Sequence, residues 1–164
     1  MNTVFNDLEA ARIAVEIEKN GAHFYRTAEK IVQDPAMKEE LRKLAEQEDG
    51  HARSFAQLAE ELEREKEDWA PYSTEANLFL SALASSVVFP GGALAQAMQG
   101  RMNSMEEILK SAIRSEMDSI AFYRQILAES PDASFVSGIE TIIHDETQHL
   151  QELTDRLEQN TKEK

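Results

Sequence analysis

The strongest constraint on the fold of this chain is an internal repeat. Several residues recur when the sequence is shifted by 98 positions along itself. The recurring pairs are Glu18 with Glu116, Phe24-Tyr25-Arg26 with Phe122-Tyr123-Arg124, Glu48 with Glu146, and His51 with His149. Each half therefore has one Glu, a Tyr seven residues later, and a Glu-x-x-His motif thirty residues after the first Glu. This shared spacing predicts two copies of one helical hairpin.

The rest of the pattern predicts an all-α chain. Gly and Pro together account for only ten residues, which favours long helices over a turn-rich β fold. Apolar residues recur at helical spacing in four long stretches. The predicted long helices run from a capping box at Asn6 to about Val32, from Asp34-Pro35 to about Lys66, from Ser104 to about Glu129, and from "SPD" at 130–132 to about Gln159.

A long connection separates the second and third of these helices. It has about 37 residues, with a shorter apolar helix over 75–89, a break at "PGG" (90–92) and an irregular piece to Asn103. A connection of this length can cross the bundle and make the second and third long helices parallel. We expect the apolar part to cover the side of the bundle or to form a subunit interface. The prediction is one four-helix-bundle domain over 1–164.

Charge and composition exclude several kinds of partner. The formal charge of −14 argues against nucleic acid and anionic membranes, because phosphate groups would be repelled. The absence of cysteine excludes disulfides, iron–sulfur clusters and thiolate zinc sites. The start of the chain does not resemble a signal peptide, and the longest apolar stretch, near 78–89, is too short to span a bilayer. We therefore expect a cytoplasmic protein.

The repeated acids and histidines suggest a metal site. Residues i and i+3 share one helix face, so each Glu-x-x-His motif can bring its carboxylate and imidazole to one point. Glu18 and Glu116 lie on helix stripes bordered by apolar residues and should face the core. Four carboxylates in a low-dielectric interior need counter-charge, and no Lys or Arg recurs at positions that would supply it. Two divalent cations would supply it.

Mixed carboxylate and imidazole ligation suits iron or manganese better than calcium. One Glu from each of two helices, with a Glu-x-x-His from each of the other two, is the di-iron or di-manganese motif of helix bundles. Tyr25 and Tyr123 share the stripes of Glu18 and Glu116. They are either core tyrosines with satisfied hydroxyls or catalytic side chains, acting as redox groups or as partners that contact the metal ligands. His23 and His144 lie off these stripes and are predicted to be surface residues.

Four segments resemble the rubrerythrin and bacterioferritin branch of the ferritin-like proteins. They are "EIEKNGAHFY", "EQEDGH", "RSEMDSIAFY" and "HDETQH", and the resemblance covers nearly all of 8–157. It implies a ferritin-like bundle with a dinuclear iron centre that reacts with hydrogen peroxide or dioxygen, as a peroxidase or ferroxidase. All six family ligand positions are matched: Glu18, Glu48, His51, Glu116, Glu146 and His149.

The sequence departs from these families in three ways. Rubrerythrins carry an additional metal-site Glu where this chain has Ser119, and they end in a cysteine-rich rubredoxin domain that this sequence does not contain. Peroxidase turnover would then need an external electron donor. Bacterioferritins bind haem through a Met where this chain has Asp49, so no haem is expected.

The sequence thus predicts a di-iron oxidoreductase acting on peroxide or dioxygen. Three alternatives remain open: an iron-handling or storage protein, a dimanganese centre like that of the manganese catalases, and a scaffold that has lost its metal. Ferritin-like bundles commonly pair, so we expect a homodimer or a higher homo-oligomer.

Overall fold

The computed structural model describes residues 5–65, 74–88, 100, 102, 104–130 and 133–162. Five α-helices and no strands are found in these ranges. The helices are α1 (Asp7–Ile31), α2 (Pro35–Glu65), α3 (Thr74–Val87), α4 (Met105–Glu129) and α5 (Ala133–Lys162). The predicted all-α, ferritin-like bundle is confirmed. The predicted helix end at Lys66 and the "PGG" break lie outside the described residues.

Side-chain caps fix the predicted helix starts. The backbone N–H of Glu9 donates to Asn6 Oδ1 at 3.0 Å, and the backbone N–H of Asn6 donates to Glu9 Oε2 at 3.1 Å, which completes a capping box. Asp34 Oδ2 accepts from the backbone N–H of Met37 at 2.9 Å, and Ser104 Oγ caps α4 in the same way. These contacts satisfy N–H groups that have no partner within their helix.

The last helix is longer than predicted, because it ends at Lys162 and not near Gln159. Its apolar periodicity stops at Leu157, but no Gly or Pro follows to break the helix. Lys162 lies 3.9 Å from Glu158, four residues earlier, and the Thr161 hydroxyl donates to the carbonyl of Leu157. Good helix formers with local pairing therefore extend the helix beyond its apolar face.

The helix boundaries follow the sequence repeat. Helices α1 and α4 begin and end at positions exactly 98 residues apart, and so do their N-caps, Asn6 and Ser104. Helices α2 and α5 also begin 98 residues apart. The two halves are thus equivalent hairpins, α1–α2 and α4–α5.

Cross-helix contacts give the helix directions. Arg12 pairs with Glu63, and Glu29 pairs with Arg42, so α1 and α2 are antiparallel. The hydroxyls of Tyr25 and Tyr123 reach Glu116 and Glu18 respectively, so α1 and α4 are also antiparallel. Since both α2 and α4 oppose α1, they run parallel to each other. This confirms the crossover predicted from the long connection.

The short helix α3 covers one side of the bundle. It packs against α1 and more lightly against α4, and buries Ala84 and, just beyond its end, Val88. Ser81 Oγ donates to Glu16 on α1 at 3.4 Å. The predicted covering role is confirmed for this helix, whereas its role as a subunit interface stays a prediction. Among the described helices, none combines the length and apolar character needed to cross a bilayer.

Candidate metal centre

The bundle brings all six sequence-predicted ligand residues into one buried cluster. Helices α1 and α4 each contribute one residue, and helices α2 and α5 each contribute two. Their relative exposures are 1% for Glu18, 5% for Glu48, 8% for His51, 3% for Glu116, 1% for Glu146 and 2% for His149. Charged side chains are rarely this buried without a partner. His23 and His144 are exposed, as predicted.

The cluster divides into two overlapping groups of possible metal ligands. One contains Glu18, Glu48, His51 and Glu146, and the other contains Glu48, Glu116, Glu146 and His149. Within each group, one oxygen or nitrogen atom from every residue lies within 4.8 Å of the others. Glu48 and Glu146 belong to both groups. If each group held one cation, the two cations would share two carboxylates.

The two imidazoles approach the cluster through the same ring atom. His51 Nδ1 lies 2.8 Å from Glu146 Oε1 and 3.4 Å from Glu18 Oε2. His149 Nδ1 lies 3.0 Å from Glu146 Oε2 and 3.4 Å from Glu48 Oε1. The two oxygens of Glu146 therefore each face a different imidazole, so that Glu146 joins the two groups.

Several of these atoms are buried without a hydrogen-bond partner. In the part of the chain that the structure describes, they include Glu18 Oε2, Glu48 Oε1, His51 Nδ1 and Glu146 Oε1. The short approach of His51 Nδ1 to Glu146 lies off the N–H direction and is not a hydrogen bond. A buried polar atom without a partner costs about 1–3 kcal/mol, and more if it is charged. Cations bound between these oxygens and nitrogens would satisfy them, so the residues fit a metal site.

Positive charge would also stabilise the buried carboxylates of the cluster. Burial, and then the nearby charge of Glu146, raise the pKa values of Glu18, Glu48 and Glu116 above their usual range. Burial acts in the same direction on Glu146, but contacts with His149 and His51 lower its pKa below the usual value. In the described ranges, Glu18, Glu48 and Glu146 form ion pairs with His51 or His149, and none of the four carboxylates pairs with an Arg or Lys.

The pKa of His51 shows how the metal-free cluster limits its charge. Burial lowers this pKa, but contacts with Glu146 and Glu18 outweigh burial and raise it to about 10. The imidazole therefore stays protonated at neutral pH when no metal is bound, and the raised pKa values of the carboxylates shift them toward their protonated forms. Cations that enter the cluster would replace these protons.

The two tyrosines contact the cluster across the bundle. Tyr25 donates its hydroxyl hydrogen to Glu116 Oε1, and Tyr123 donates to Glu18 Oε1. Each Tyr thus bonds the Glu of the other hairpin, because the Glu seven residues earlier on its own helix lies about 10.5 Å away along the axis. Burial, followed by the charge of the bonded Glu, raises both tyrosine pKa values well above normal. Both hydroxyls are satisfied, and both hold a predicted ligand.

Two contacts of the cluster were missed by sequence reasoning. Asp145 Oδ2 lies 3.4 Å from His51 Nε2, on the ring edge that faces away from the cluster. Gly21 lies against Glu48, and a Cβ at this position would be 2.9 Å from Glu48 Oε2. The 98-residue repeat places Ser119, which is also buried, at the position equivalent to Gly21. A small residue three positions after a core-facing Glu is the only sequence signal that could have indicated this contact.

Comparison with known proteins supports the family resemblance in the first half of the chain. The family model for rubrerythrin matches residues 9–84, slightly less than half of the sequence. This range contains α2 and most of α1 and α3, including Glu18, Glu48 and His51. No curated protein and no solved structure was found to match. The role of the second hairpin in the site therefore rests on the repeat and on the observed geometry.

Proposed function

We propose that this rubrerythrin-like chain is an oxidoreductase that binds two iron ions and reacts with hydrogen peroxide or dioxygen. The observation that carries the proposal is the pair of overlapping carboxylate–imidazole groups, with buried ligand atoms that lack hydrogen-bond partners. The rubrerythrin match over 9–84 favours iron. The proposed ligands are Glu18, Glu48, His51, Glu116, Glu146 and His149.

The two groups assign a role to each ligand. Glu48 and Glu146 belong to both groups and would bridge the two ions. Glu18 and His51 would complete one position, and Glu116 and His149 would complete the other. When bound, the two iron ions would supply the electrons that reduce the oxidant. The mixed oxygen and nitrogen donors suit this metal.

The remaining residues of the site orient the ligands and limit access. Tyr25 and Tyr123 hold Glu116 and Glu18, the two carboxylates that are not shared, and their raised pKa values keep both hydroxyls as donors. Five of the six ligands are at most 5% exposed, whereas His51 is 8% exposed and lies beside the half-exposed Asp145. Access from this side suits an oxidant as small as peroxide or dioxygen.

Electrons would come from an external donor. The sequence has no cysteine and therefore no thiolate-bound redox centre of its own. The net charge of −14 favours a cationic donor surface and attracts Fe(II). We further propose a homo-oligomer, which light scattering at micromolar concentration would test. A clean monomer would contradict it. A cytoplasmic location and a single domain over 1–164 stay predictions.

The same donor set accommodates manganese, so a dimanganese centre is the second candidate. Metal analysis of protein purified without added metal distinguishes the two. The reaction itself is tested by mixing the anaerobic Fe(II)-loaded protein with hydrogen peroxide or with dioxygen and following Fe(III) formation. We expect oxidation that is faster than in a matched Glu146→Ala sample. Equal rates in the two samples would contradict the proposal. The partly exposed Glu16, which pairs with Lys19, provides a control, since Glu16→Ala should behave like the parent.

A further inference from the structure

The two imidazoles of the site differ at the ring nitrogen that faces away from the cluster. His51 Nε2 lies 3.4 Å from Asp145 Oδ2. His149 Nε2 is buried and has no hydrogen-bond partner in the described residues, although His149 is only 2% exposed. The two histidines are equivalent in the repeat, but within the described residues only His51 has a hydrogen-bond partner at Nε2.

The repeat also shows where the difference arises. Asp145 directly precedes Glu146 on α5 and reaches across to His51 on α2. The equivalent residue on α2, directly before Glu48, is Gln47. Gln47 is exposed, and His149 Nε2 makes no hydrogen bond with it or with any other described residue. Within the described part of the chain, a carboxylate therefore lies beside the outward-facing ring nitrogen of His51 and not beside that of His149.

This difference matters for metal binding because an imidazole can offer Nδ1 to a cation only when its proton is on Nε2. A carboxylate that accepts this proton fixes the tautomer and the ring orientation and makes the ligand more basic. Such partners typically change metal affinity by about 10–100-fold. Among the described residues, His51 has such a partner and His149 has none.

We propose that Asp145 is a positioning residue for His51 and that it makes the two metal positions unequal. The position with Glu18 and His51 takes the first divalent cation, and the position with Glu116 and His149 takes the second more weakly. This inference rests on the metal site of the proposed function. It adds an order of filling that the ligand set alone does not give, because the six ligands are symmetric.

The test is a titration of the full metal-free chain with Co(II), in which binding is measured by calorimetry and by visible absorption. We expect two binding steps in the parent. Asp145→Ala should weaken the first step by about 10–100-fold, and Asp145→Asn, which keeps an acceptor without the charge, should weaken it less. The control is Asp155→Ala, an exposed acid on the same helix that accepts from Gln151, and it should leave both steps unchanged.

A gain-of-function variant excludes misfolding as the explanation. Gln47→Asp should supply the missing partner for His149 and strengthen the second step while the first stays as in the parent. Two equal steps in the parent, or an Asp145→Ala variant that binds like Asp155→Ala, would overturn the inference and leave the dinuclear site intact. A parent that binds no Co(II) would overturn both the inference and the proposed site.

Discussion

Each hairpin offers two glutamates and one histidine at the same spacing, yet the residues next to these ligands differ between the hairpins. Gly21 leaves room for Glu48, whereas Ser119 occupies the equivalent position in the second hairpin. Asp145 supports one imidazole, and its equivalent, Gln47, does not support the other. The proposed centre with two metal positions would use the ligands of both copies, which explains why the ligands follow the repeat while their neighbours need not be equal.

A third difference lies at the surface of the hairpins. Arg26 on α1 forms a bidentate ion pair with Asp49 on α2, in which Arg26 Nη1 lies 3.3 Å from Asp49 Oδ1. In the second hairpin the residue equivalent to Asp49 is Thr147, whose hydroxyl donates to the carbonyl of Ile143. An exposed pair of this kind contributes only about 0–1 kcal/mol. This surface difference is therefore expected to have little effect on stability.

The largest expected effect comes from removing a shared carboxylate. Glu146 belongs to both ligand groups and faces both imidazoles, whereas Glu116 belongs to one group. Glu146→Ala should lower bound iron from about two ions per chain to fewer than one, and Glu116→Ala should retain about one. Iron analysis after anaerobic loading and desalting measures both. Equal losses in the two variants would show that Glu146 does not bridge.

The imidazoles provide the next comparison. His51→Ala and His149→Ala each remove one nitrogen ligand, so each should slow Fe(III) formation about tenfold or more. The exposed His144 is the control, and His144→Ala should oxidise iron like the parent. Loss of activity in His144→Ala with full activity in His149→Ala would reverse the assignment of helix faces.

Glu48 and Glu146 are equivalent in the repeat but have opposite pKa shifts, which predicts opposite effects on the metal-free protein. The folded-state pKa of Glu48 is raised above the usual value of 4.5. The contribution of this carboxyl group to the free energy of unfolding is therefore lost as the pH rises above 4.5. Glu48→Gln should therefore raise the melting temperature at pH 7, by about 2–4 °C for each kcal/mol. The folded-state pKa of Glu146 is lowered, so the contribution of this carboxylate to the free energy of unfolding is present at pH 7 and is lost in acid.

Glu146→Gln should accordingly lower the melting temperature of the metal-free protein at pH 7. Thermal melts in the presence of a chelator at pH 5 and pH 7 measure both variants. The stabilising effect of Glu48→Gln should be smaller at pH 5, because the loss of stability caused by a raised folded-state pKa grows as the pH moves above 4.5. Shifts of the same sign in the two variants at pH 7 would contradict the charge distribution described for the cluster.

Gly21 allows a test of whether the space beside Glu48 affects metal binding. Gly21→Ala should stabilise metal-free α1 by about 0.5–1 kcal/mol through helix propensity. It should also weaken metal binding severalfold, because the new Cβ would lie 2.9 Å from Glu48 Oε2. Gly50→Ala is the matched control, since its Cβ would meet only Arg53 at 3.8 Å. A Gly21→Ala variant that binds Fe(II) as tightly as Gly50→Ala would remove the proposed role of Gly21.

The smallest expected effects are those of the tyrosines. Tyr25→Phe and Tyr123→Phe each remove one hydroxyl from an unshared carboxylate and leave the six ligands in place. Both variants should still bind two iron ions and should oxidise them only severalfold more slowly. The contacts are reciprocal, so the two rates should be similar. A large difference between them would show that only one tyrosine takes part in the reaction.

The sequence predicted what is local or repeated. Caps at Asn6 and Ser104, the parallel arrangement of α2 and α4, and the burial of the six candidate ligands follow from short-range chemistry and from the repeat. The cross-bundle bonds of Tyr25 and Tyr123 were not predicted, since they depend on how α1 and α4 are aligned. The contact between Asp145 and His51 joins residues 94 positions apart and depends in the same way on packing.

Both hairpins together are proposed to form one dinuclear site, and this can be checked by counting the Fe(II) ions that each chain binds. The measurement is an anaerobic titration of the metal-free protein, with bound and free iron separated and counted. We expect saturation at two ions per chain and a higher melting temperature in the loaded protein. Saturation at one ion, or no binding at all, would show that the two hairpins do not form a dinuclear site.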